Sequence, residues 1–361
     1  MTRSALQTAE GRRSDDGENA EGQKTVSMWP VRPALSNRAD SAAGDALGPR
    51  TMYRAVNEVQ YVKTDGGRRK LALEVAGDPH GYPVFLMHGT PGSRSGPQPR
   101  GMVLYRLGLK LISYDRPGYG SSERQKGRSV SDAAADVAAI ADSFGHRQFA
   151  VVGRSGGGSH ALACAAHLAD RVSVAAVLVG LAPSDAQGLD WYAGMNEHNV
   201  SEYSTADADE ATLGASLEDQ ASRTRQNPLG FLTDLIPGMC REDRRVVDNV
   251  LLRTQLSDNY ALAVQQGAAG WIDDVLAFRK PWGFAFSQIR CPVKLWHGMQ
   301  DEFSPVEHAQ WLAEQIVTAE LEIDAEVGHF AAVEVLPKVL SWISDHTDRS
   351  ARARASSLGD H

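Results

Sequence analysis

The sequence predicts an α/β protein with an eight-stranded, mostly parallel sheet, helices on both faces of that sheet, and a helical segment inserted late in the chain. Short β-branched runs alternate with stretches of helical periodicity, which is typical of βαβ units. The alternation stops between residues 185 and 288 and then resumes, which predicts a helical insert (residues 185–288). The 361 residues allow one large core or two ordinary domains.

Eight apolar runs are the candidate strands. The first two are separated by Thr64-Asp65-Gly66-Gly67, a hairpin type of turn, so the sheet is expected to begin antiparallel before it becomes parallel. The eight runs are residues 59–62, 71–75, 84–87, 111–114, 149–152, 174–178, 293–296 and 321–323.

The composition separates the folded part of the chain from its two ends. Residues 1–50 are rich in Ser, Ala, Gly, Asp and Arg and have no sustained periodicity, which predicts a disordered N-terminal tail. Residues 348–361 repeat this composition, which predicts a second disordered tail. The predicted core consists of residues 51–184 and 289–347, and the helical insert interrupts it.

Charge and cysteine content exclude several classes of protein. The chain has 37 basic and 45 acidic residues, and its net charge of −8 disfavours nucleic-acid binding. No window approaches the roughly 18 uninterrupted apolar residues of a membrane span. Cys164, Cys240 and Cys291 have no C-x-x-C spacing, which indicates neither a disulfide framework nor a zinc site. We expect a soluble protein with a small-molecule substrate and without a cofactor or metal.

The first residues favour a cytoplasmic location. Arg12 and Arg13 are followed by Asp15, Asp16 and Glu18, where a secretory signal would have an apolar stretch. We therefore expect no secretion signal at this end of the sequence.

One serine lies in the pattern G-x-S-x-G, between a predicted strand and a predicted helix. The pattern is residues 153–157, with Ser155 at its centre. A strand-turn-helix junction of this kind exposes the serine Oγ on a strained turn, while the glycines remove side chains that would collide. The N-terminus of the following helix favours a developing oxyanion. Ser155 is the candidate nucleophile, and the alternative is a glycine-rich turn with an incidental serine.

A serine hydroxyl needs a base, and the base needs a third group that fixes its tautomer. His329 lies just after the last candidate strand, where a loop can carry its imidazole over Ser155. Asp301 follows the candidate strand 293–296, at the carboxyl edge of the sheet where such sites collect. We predict His329 as the base and Asp301 as its carboxylate. The adjacent Glu302 is the alternative acid, and a plain surface-loop position is the alternative for each.

Two backbone N–H groups form the predicted oxyanion hole. Residues 88–92 (HGTPG) follow the candidate strand 84–87, which is the position expected for one of the donors. We assign this donor to Thr90 and the second one to Gly156. The alternative for residues 88–92 is a plain Gly-Pro turn.

Taken together, these motifs resemble those of the lidded α/β-hydrolase family, which includes proline iminopeptidases, haloalkane dehalogenases, epoxide hydrolases and carbon–carbon bond hydrolases. The resemblance covers about residues 55–345. Its motifs are residues 88–92 (HGTPG), 115–121 (DRPGYGS), 153–157 (GRSGG), Asp301 and Gly328-His329, in the family's order. It implies that the helical insert is a lid over the site, and that residues 115–118 form a structural turn without a catalytic role.

The serine nucleophile narrows the reaction that the resemblance implies. The family's dehalogenases and epoxide hydrolases attack with an aspartate at this position. Acyl transfer to Ser155 suits carboxylic esters, lactones, thioesters or amides. Proline iminopeptidases are similar at residues 88–92, but they typically have Trp and Gly where this chain has Gly156 and Gly157. We predict an esterase-like serine hydrolase; the alternatives are an aminopeptidase of the proline iminopeptidase type and a non-catalytic receptor on the same fold.

The helical insert holds 16 acidic and 8 basic residues, which predicts a substrate whose distal part is neutral or cationic. Acidic residues that either receive a peptide amine or form a solvated face are Glu197, Glu202, Asp207, Asp209 and Glu210. Aromatic residues that either surround an apolar pocket or fill the core of the insert are Trp191, Tyr192, Tyr203, Trp271, Phe278, Trp282, Phe284 and Phe286.

Overall fold

The computed structural model describes residues 58–358, with side chains described for residues 58–347. The predicted N-terminal tail therefore lies outside the described residues. Of the predicted C-terminal tail, the structure describes only the helical backbone of residues 348–358. Both tails stay predictions.

Within the described residues, eight strands form one sheet, and each overlaps one of the eight predicted runs. The strands are β1 (Gln60–Thr64), β2 (Arg69–Gly77), β3 (Tyr82–Met87), β4 (Leu109–Tyr114), β5 (Phe149–Arg154), β6 (Val172–Leu178), β7 (Val293–Gly298) and β8 (Ala319–Asp324). Their order across the sheet is β1-β2-β4-β3-β5-β6-β7-β8. β2 pairs antiparallel with β1 and β4, and the other pairs are parallel. The mostly parallel sheet and its antiparallel start are confirmed.

The residue types of the central strands and of one edge strand fit their positions in the sheet. β3, β5 and β6 are nearly continuous apolar runs and are buried, as expected for central parallel strands that are covered on both faces. β8 has acidic residues at every second position and is only half-buried, which suits a strand at the sheet edge.

Eleven α-helices accompany the sheet in residues 58–358. They are α1 (Gly101–Arg106), α2 (Ala133–Ser143), α3 (Gly157–His167), α4 (Glu197–Ala208), α5 (Glu210–Gln226), α6 (Pro228–Asp234), α7 (Arg241–Asp248), α8 (Val250–Ala263), α9 (Ala269–Phe278), α10 (Val306–Gln315) and α11 (Ala332–Leu358). α1 and α11 pack on one face of the sheet, and α2, α3 and α10 pack on the other. Helices α4 to α9 lie between β6 and β7 in sequence, within the helical insert.

Side chains from both layers fill the core on each side of the sheet. On the α11 side, Leu340 and Ile343 are fully buried in one cluster with strand residues such as Val84, and α11 contacts β6 and β7. On the other side, Leu162 of α3 and Leu312 of α10 belong to one continuous cluster that extends into the insert. Burial of each such side chain contributes about 1.5–3 kcal/mol. The sheet is therefore held rigidly at the edge where its strands end.

The helices of the insert begin at polar residues that satisfy free backbone donors. Asn196, Asp209, Asn227 and Asn249 precede α4, α5, α6 and α8, and each side chain accepts one or more N–H groups of the first helical turn. A cap of this kind stabilises a helix by about 1 kcal/mol. The breaks between the helices are thus encoded locally.

Two glycines allow α9 to contact the core backbone to backbone. Gly118 has a φ of +87° in the turn after β4, and Gly270 lies in the first turn of α9. A methyl group on Gly270 would lie 2.7 Å from the carbonyl carbon of Gly118 and 2.6 Å from Cδ2 of Tyr119. The close approach is completed by a hydrogen bond of 3.2 Å from the Gly270 N–H to the Gly118 carbonyl oxygen. This contact fixes α9 on the turn at residues 115–121.

We expect Gly270→Ala to lower the free energy of unfolding by about 1–3 kcal/mol, because the added methyl group meets backbone that has no space to move. Gly214→Ala is the matched control, since Gly214 lies inside α5 and its nearest neighbour would be 3.9 Å away. This control should gain up to about 1 kcal/mol from helix propensity. Urea unfolding of both variants measures the difference, and equal changes would contradict the tight contact.

Candidate active site

Ser155 lies on a strained turn between β5 and α3. Its φ is +53°, a left-handed conformation that is rare for residues other than glycine. The turn is held by its backbone, because the Ser155 N–H donates to the Leu178 carbonyl oxygen at 2.8 Å and its own carbonyl accepts from the Gly158 N–H at 2.8 Å. A methyl group on Gly153 would lie 2.2 Å from the carbonyl oxygen of Gly157. The glycines are therefore required by the close approach of strand and helix.

His329 and Asp301 form a hydrogen-bonded pair at the ends of β8 and β7. The distance from Nδ1 of His329 to Oδ2 of Asp301 is 2.8 Å. Oδ1 of Asp301 accepts the backbone N–H groups of Phe303 and Ser304 at 2.8 and 3.0 Å. Burial alone would raise the pKa of Asp301, but the adjacent His329 and His297 lower it well below its ordinary value. Asp301 is therefore an ionised carboxylate that holds the imidazole.

The neighbouring carboxyl group, which was the alternative acid, points elsewhere. The Glu302 side chain is exposed, whereas Asp301 is buried. The Glu302 backbone carbonyl accepts the N–H and the side-chain amide of Asn196 at 2.7 and 3.0 Å. The structure thus brings Asp301, and not Glu302, to His329.

Thr90 and Gly156 lie side by side next to Ser155. A methyl group on Gly156 would lie 2.4 Å from Oγ1 of Thr90, and one on Gly89 would lie 3.4 Å from Cβ of Ser155. Within the described residues, the N–H groups of Thr90 and Gly156 donate to no other protein group. Both donors are available to an atom bound beside Ser155.

A buried carboxylate of the insert holds the Thr90 loop. Asp274 of α9 accepts the Thr90 hydroxyl at 2.7 Å and the Tyr119 hydroxyl at 2.9 Å. It also forms ion pairs with Arg116 and Arg128 at 2.5 and 2.6 Å. Burial would raise the pKa of Asp274, but these guanidinium groups lower it well below its ordinary value. The Thr90 hydroxyl hydrogen is committed to Asp274, so only the Thr90 backbone N–H is free to donate towards Ser155.

A second carboxylate of the insert holds the His329 loop. Asp243 of α7 is buried, and its Oδ2 accepts the His329 N–H at 2.8 Å. Its Oδ1 accepts the N–H groups of Phe330 and Ala331 at 2.9 and 3.3 Å. Sequence reasoning missed both Asp243 and Asp274, because neither lies in a motif. An acidic residue at a buried helical position, where a charge needs a partner, was the only available signal.

Two small pockets open on either side of Ser155, each with a volume of about 70 Å³. Both contain Thr90, Ser155, Tyr260 and His329. We name each by the charged residue that only it contains. The Glu202 pocket is further lined by Leu181, His198, Asn199, Tyr203, Phe231, Leu235, Trp271 and Phe303, and the Arg154 pocket by Leu256, Asn259 and Val333.

The insert residues that line these pockets differ in part from those expected. Of the predicted aromatic residues, Tyr203 and Trp271 line the Glu202 pocket. Trp282, Phe284 and Phe286 instead pack on one another away from Ser155. Pocket-lining aromatic residues that the sequence did not indicate are Phe231, Tyr260, Phe303 and Phe330. Helical periodicity distinguishes a buried face from an exposed one, but not a core contact from a cavity wall.

The acidic residues of the insert are mostly exposed or neutralised by arginine. Glu202 lines a pocket, whereas Glu197, Asp209 and Glu210 are exposed. Asp207 pairs with Arg279 at 2.7 Å. The expected preference for neutral or cationic substrates stays a prediction.

In the described part of the chain, no cluster of three or more His, Cys, Asp or Glu side chains is arranged to hold a metal ion. The same residues contain no helix with the length and hydropathy needed to cross a bilayer.

Comparison with known proteins agrees with the fold. The chain is 37% identical over 105 residues to a non-heme haloperoxidase of Rhodococcus erythropolis, a match that covers 28% of this chain and 38% of that protein. It is 25% identical over 291 residues to the AB hydrolase superfamily protein YisY of Bacillus subtilis, covering 80% of this chain and 98% of the relative.

A thermophilic esterase from Thermogutta terrifontis is similar in structure, with a TM-score of 0.58 and 21% identity over 81% of this chain and 98% of the esterase. That level of identity shows the fold alone. The family model for the alpha/beta hydrolase fold matches residues 82–334, which contain Thr90, Ser155, Asp301 and His329. The chain therefore belongs to the α/β hydrolase fold family.

Proposed function

We propose that this protein is a serine hydrolase that cleaves a carboxylic ester or a related acyl bond through an acyl-enzyme on Ser155. The observation that carries the proposal is the ionised Asp301 hydrogen-bonded to His329, beside a serine on a left-handed turn. A charge-paired imidazole next to a partly buried serine that lines a pocket is the arrangement that activates a hydroxyl group. The family supports hydrolysis in general, and the serine supports acyl transfer in particular.

The direction of the His329 hydrogen bond determines how the imidazole would act. With its Nδ1 hydrogen donated to Asp301, the Nε2 lone pair is left for the hydroxyl hydrogen of Ser155. Ser155 Oγ then attacks the acyl carbon while Nε2 takes the proton. The imidazolium next to Asp301 returns this proton to the leaving oxygen when the carbon–oxygen bond breaks. A water deprotonated by Nε2 attacks the acyl-enzyme, and the released serine regains its proton.

The oxyanion formed in both steps would be held by the N–H groups of Thr90 and Gly156. They lie side by side next to Ser155 and have no other acceptor in the described residues. Such fixed donors contribute about 2.7–4 kcal/mol each to the transition state in related chemistry. Asp274 would act indirectly, since it keeps the Thr90 loop in position through the hydroxyl group.

We further propose that the helical insert, residues 185–288, is a lid on a core of residues 51–184 and 289–347. The support is that residues of α4, α6, α8 and α9 form most of one wall of the Glu202 pocket. The lid would exclude water and select the substrate, while the core would supply the reacting groups.

An aminopeptidase is the second candidate, and Glu202 is the observation that favours it. Its Oε1 accepts the indole N–H of Trp271 at 3.2 Å inside the pocket beside Ser155. An ionised carboxylate there could receive the amine of a peptide. Burial, however, raises the pKa of Glu202 to about 7, so this carboxyl group is largely neutral below neutral pH. Hydrolysis of p-nitrophenyl esters beside aminoacyl-anilides distinguishes the two candidates.

We expect Ser155→Ala to lower kcat by about 10⁴-fold or more, because covalent catalysis is lost while the fold is kept. Ser155 should also be the residue modified by a fluorophosphonate probe. The control is Ser143→Ala, at an exposed position near the end of α2, which should keep both turnover and labelling. Wild-type kcat in the Ser155 variant, or labelling at another serine, would contradict the assignment.

We expect Asp301→Asn to lower kcat by about 10⁴-fold, because the amide favours the wrong tautomer of His329. Glu302→Gln is the matched control, since its side chain is exposed, and it should change kcat little. Steady-state kinetics on one ester suffice. A larger loss in the Glu302 variant would show that the carboxylate was misassigned.

A pH-dependent stability difference should follow from the raised pKa of Glu202. In the unfolded chain this carboxyl ionises near its ordinary value of 4.5, whereas in the folded protein it ionises only near 7. Unfolding therefore releases a proton between these values, and wild-type stability falls as the pH rises through this window. The free energy of unfolding of Glu202→Gln, relative to that of wild type, should therefore be higher at pH 8 than at pH 5.

Urea unfolding at both pH values tests this difference. Glu314→Gln, at an exposed position on α10, is the control and should show no gain across the window. An equal gain in both variants, or none in the Glu202 variant, would contradict the buried carboxyl.

A further inference from the structure

The guanidinium group of Arg154 is the most unusual charge near the candidate nucleophile. Arg154 ends β5 and directly precedes Ser155. Its one hydrogen bond is from Nη1 to the Pro97 carbonyl oxygen, at a long 3.3 Å. Among the described residues, no carboxylate lies within ion-pair distance of it. Burial lowers the pKa of Arg154, as expected for a cation that has lost water without gaining an anion.

The four buried arginines of the described chain are all paired. Arg69 binds Asp136, Arg94 binds Asp115, and Arg116 and Arg128 share Asp274. A buried cation without a partner is costly, and these four avoid that cost. Arg154 is partly buried and has no carboxylate partner among the described residues, and it lines a pocket beside Ser155.

Two further donor groups face the same pocket without a protein acceptor. Tyr260 is 7% exposed, and within the described residues its hydroxyl makes no hydrogen bond. Arg154 and Tyr260 line the same pocket; burial raises the pKa of Tyr260 to about 12, and the positive charge of Arg154 opposes this rise. Oδ1 of Asn259 is occupied by the N–H and hydroxyl of Ser93, which leaves its amide hydrogens unused.

The side chains of Arg154 and Asn259 both lie next to Gly96. A methyl group on Gly96 would lie 3.1 Å from Nη2 of Arg154 and 3.2 Å from Oδ1 of Asn259. The pocket is lined by no Asp or Glu side chain. It therefore offers donors and a positive charge on one side, and Ser155 and His329 on the other.

We propose that Arg154, Tyr260 and Asn259 form an anion subsite beside Ser155 that binds a carboxylate group of the substrate. This proposal rests on the proposed function for the identity of the bond that is cleaved. The fork of an arginine side chain matches a carboxylate with two parallel hydrogen bonds, and the tyrosine hydroxyl supplies a third. The natural substrate would then be an ester or lactone with a free carboxylate on its acyl or its alcohol half.

The subsite reverses the expectation drawn from the net charge of the insert. Asp207 and Asp274 are already paired with arginines, and their charges are screened by those partners. Glu202 lines the other pocket, where burial raises its pKa to about 7. The potential that a substrate meets at Ser155 is set by Arg154 rather than by the sum of distant charges.

The test compares an anionic ester with its uncharged analogue. For wild type, kcat/KM for mono-p-nitrophenyl glutarate is compared with that for the methyl-capped glutarate ester, which probes the acyl half. 4-Acetoxybenzoate and its methyl ester probe the alcohol half in the same way. In one of these two pairs of esters, Arg154→Met should lower the ratio of kcat/KM for the anionic ester to kcat/KM for the neutral ester by about 10- to 100-fold. The main cause should be a higher KM for the anionic ester.

Three further variants separate binding from structure. Arg154→Lys should recover part of the ratio, and Tyr260→Phe should lower it by a smaller factor. Arg147→Met removes an exposed arginine of the same charge and should leave the ratio unchanged. Because the unpaired guanidinium does not stabilise the fold, Arg154→Met should unfold at the same or a higher urea concentration than wild type. A marked loss of stability would indicate a structural role and overturn the proposal.

A binding measurement keeps the subsite testable apart from turnover. Calorimetric titration of glutarate into Ser155→Ala should show binding that Arg154→Met abolishes in the same background. If glutarate binds in this way but no ester is cleaved, the subsite stands and the proposed function falls. If esters are cleaved but neither the ratio nor glutarate binding depends on Arg154, the subsite is wrong and the proposed function stands.

Discussion

The active arrangement of this protein depends on one buried carboxylate, Asp274. It is fully buried on α9 of the insert and is surrounded by Arg116, Arg128, Tyr119 and Thr90 of the core. Loss of one partner from such a network typically costs about 3–5 kcal/mol, because it leaves the opposite charge buried and unpaired. The turn after β4, the Thr90 loop and the insert are thereby joined at a single point.

Asp243 does for the histidine loop what Asp274 does for the Thr90 loop. One carboxylate accepts three successive backbone N–H groups at His329, Phe330 and Ala331, and it comes from α7 of the insert. The Thr90 loop and the His329 loop are therefore each anchored by a charge from the insert. Opening of the insert as a rigid flap would expose both carboxylates and free both loops.

Features that depend on neighbouring residues could be predicted from the sequence, whereas contacts between distant segments could not. The eight strands were located because apolar runs and turn residues act over a few positions, and Ser155 and His329 followed from short motifs at strand ends. Each observed strand extends one or two residues beyond its predicted run at one end or both, since pairing continues past the apolar segment. The contacts of Asp243, Asp274 and Arg154 could not be predicted, because they join distant segments. Thr90 and Asp274, for instance, are 184 residues apart in sequence.

The division of tasks among the helices of the insert has a consequence for how this protein can diversify. Helices α7 and α9 carry the anchoring carboxylates, and α9 also contacts the core through Gly270. Helices α4 and α6 contribute Tyr203 and Phe231 to the Glu202 pocket without holding either loop, whereas α8 contributes Tyr260 and also binds Ser93 of the Thr90 loop through Asn259. Mutational drift in α4 and α6 can therefore reshape the wall of that pocket while the loops around Ser155 keep their geometry. Selection for a new substrate would act mainly on these two helices, and α7, α8 and α9 would change slowly.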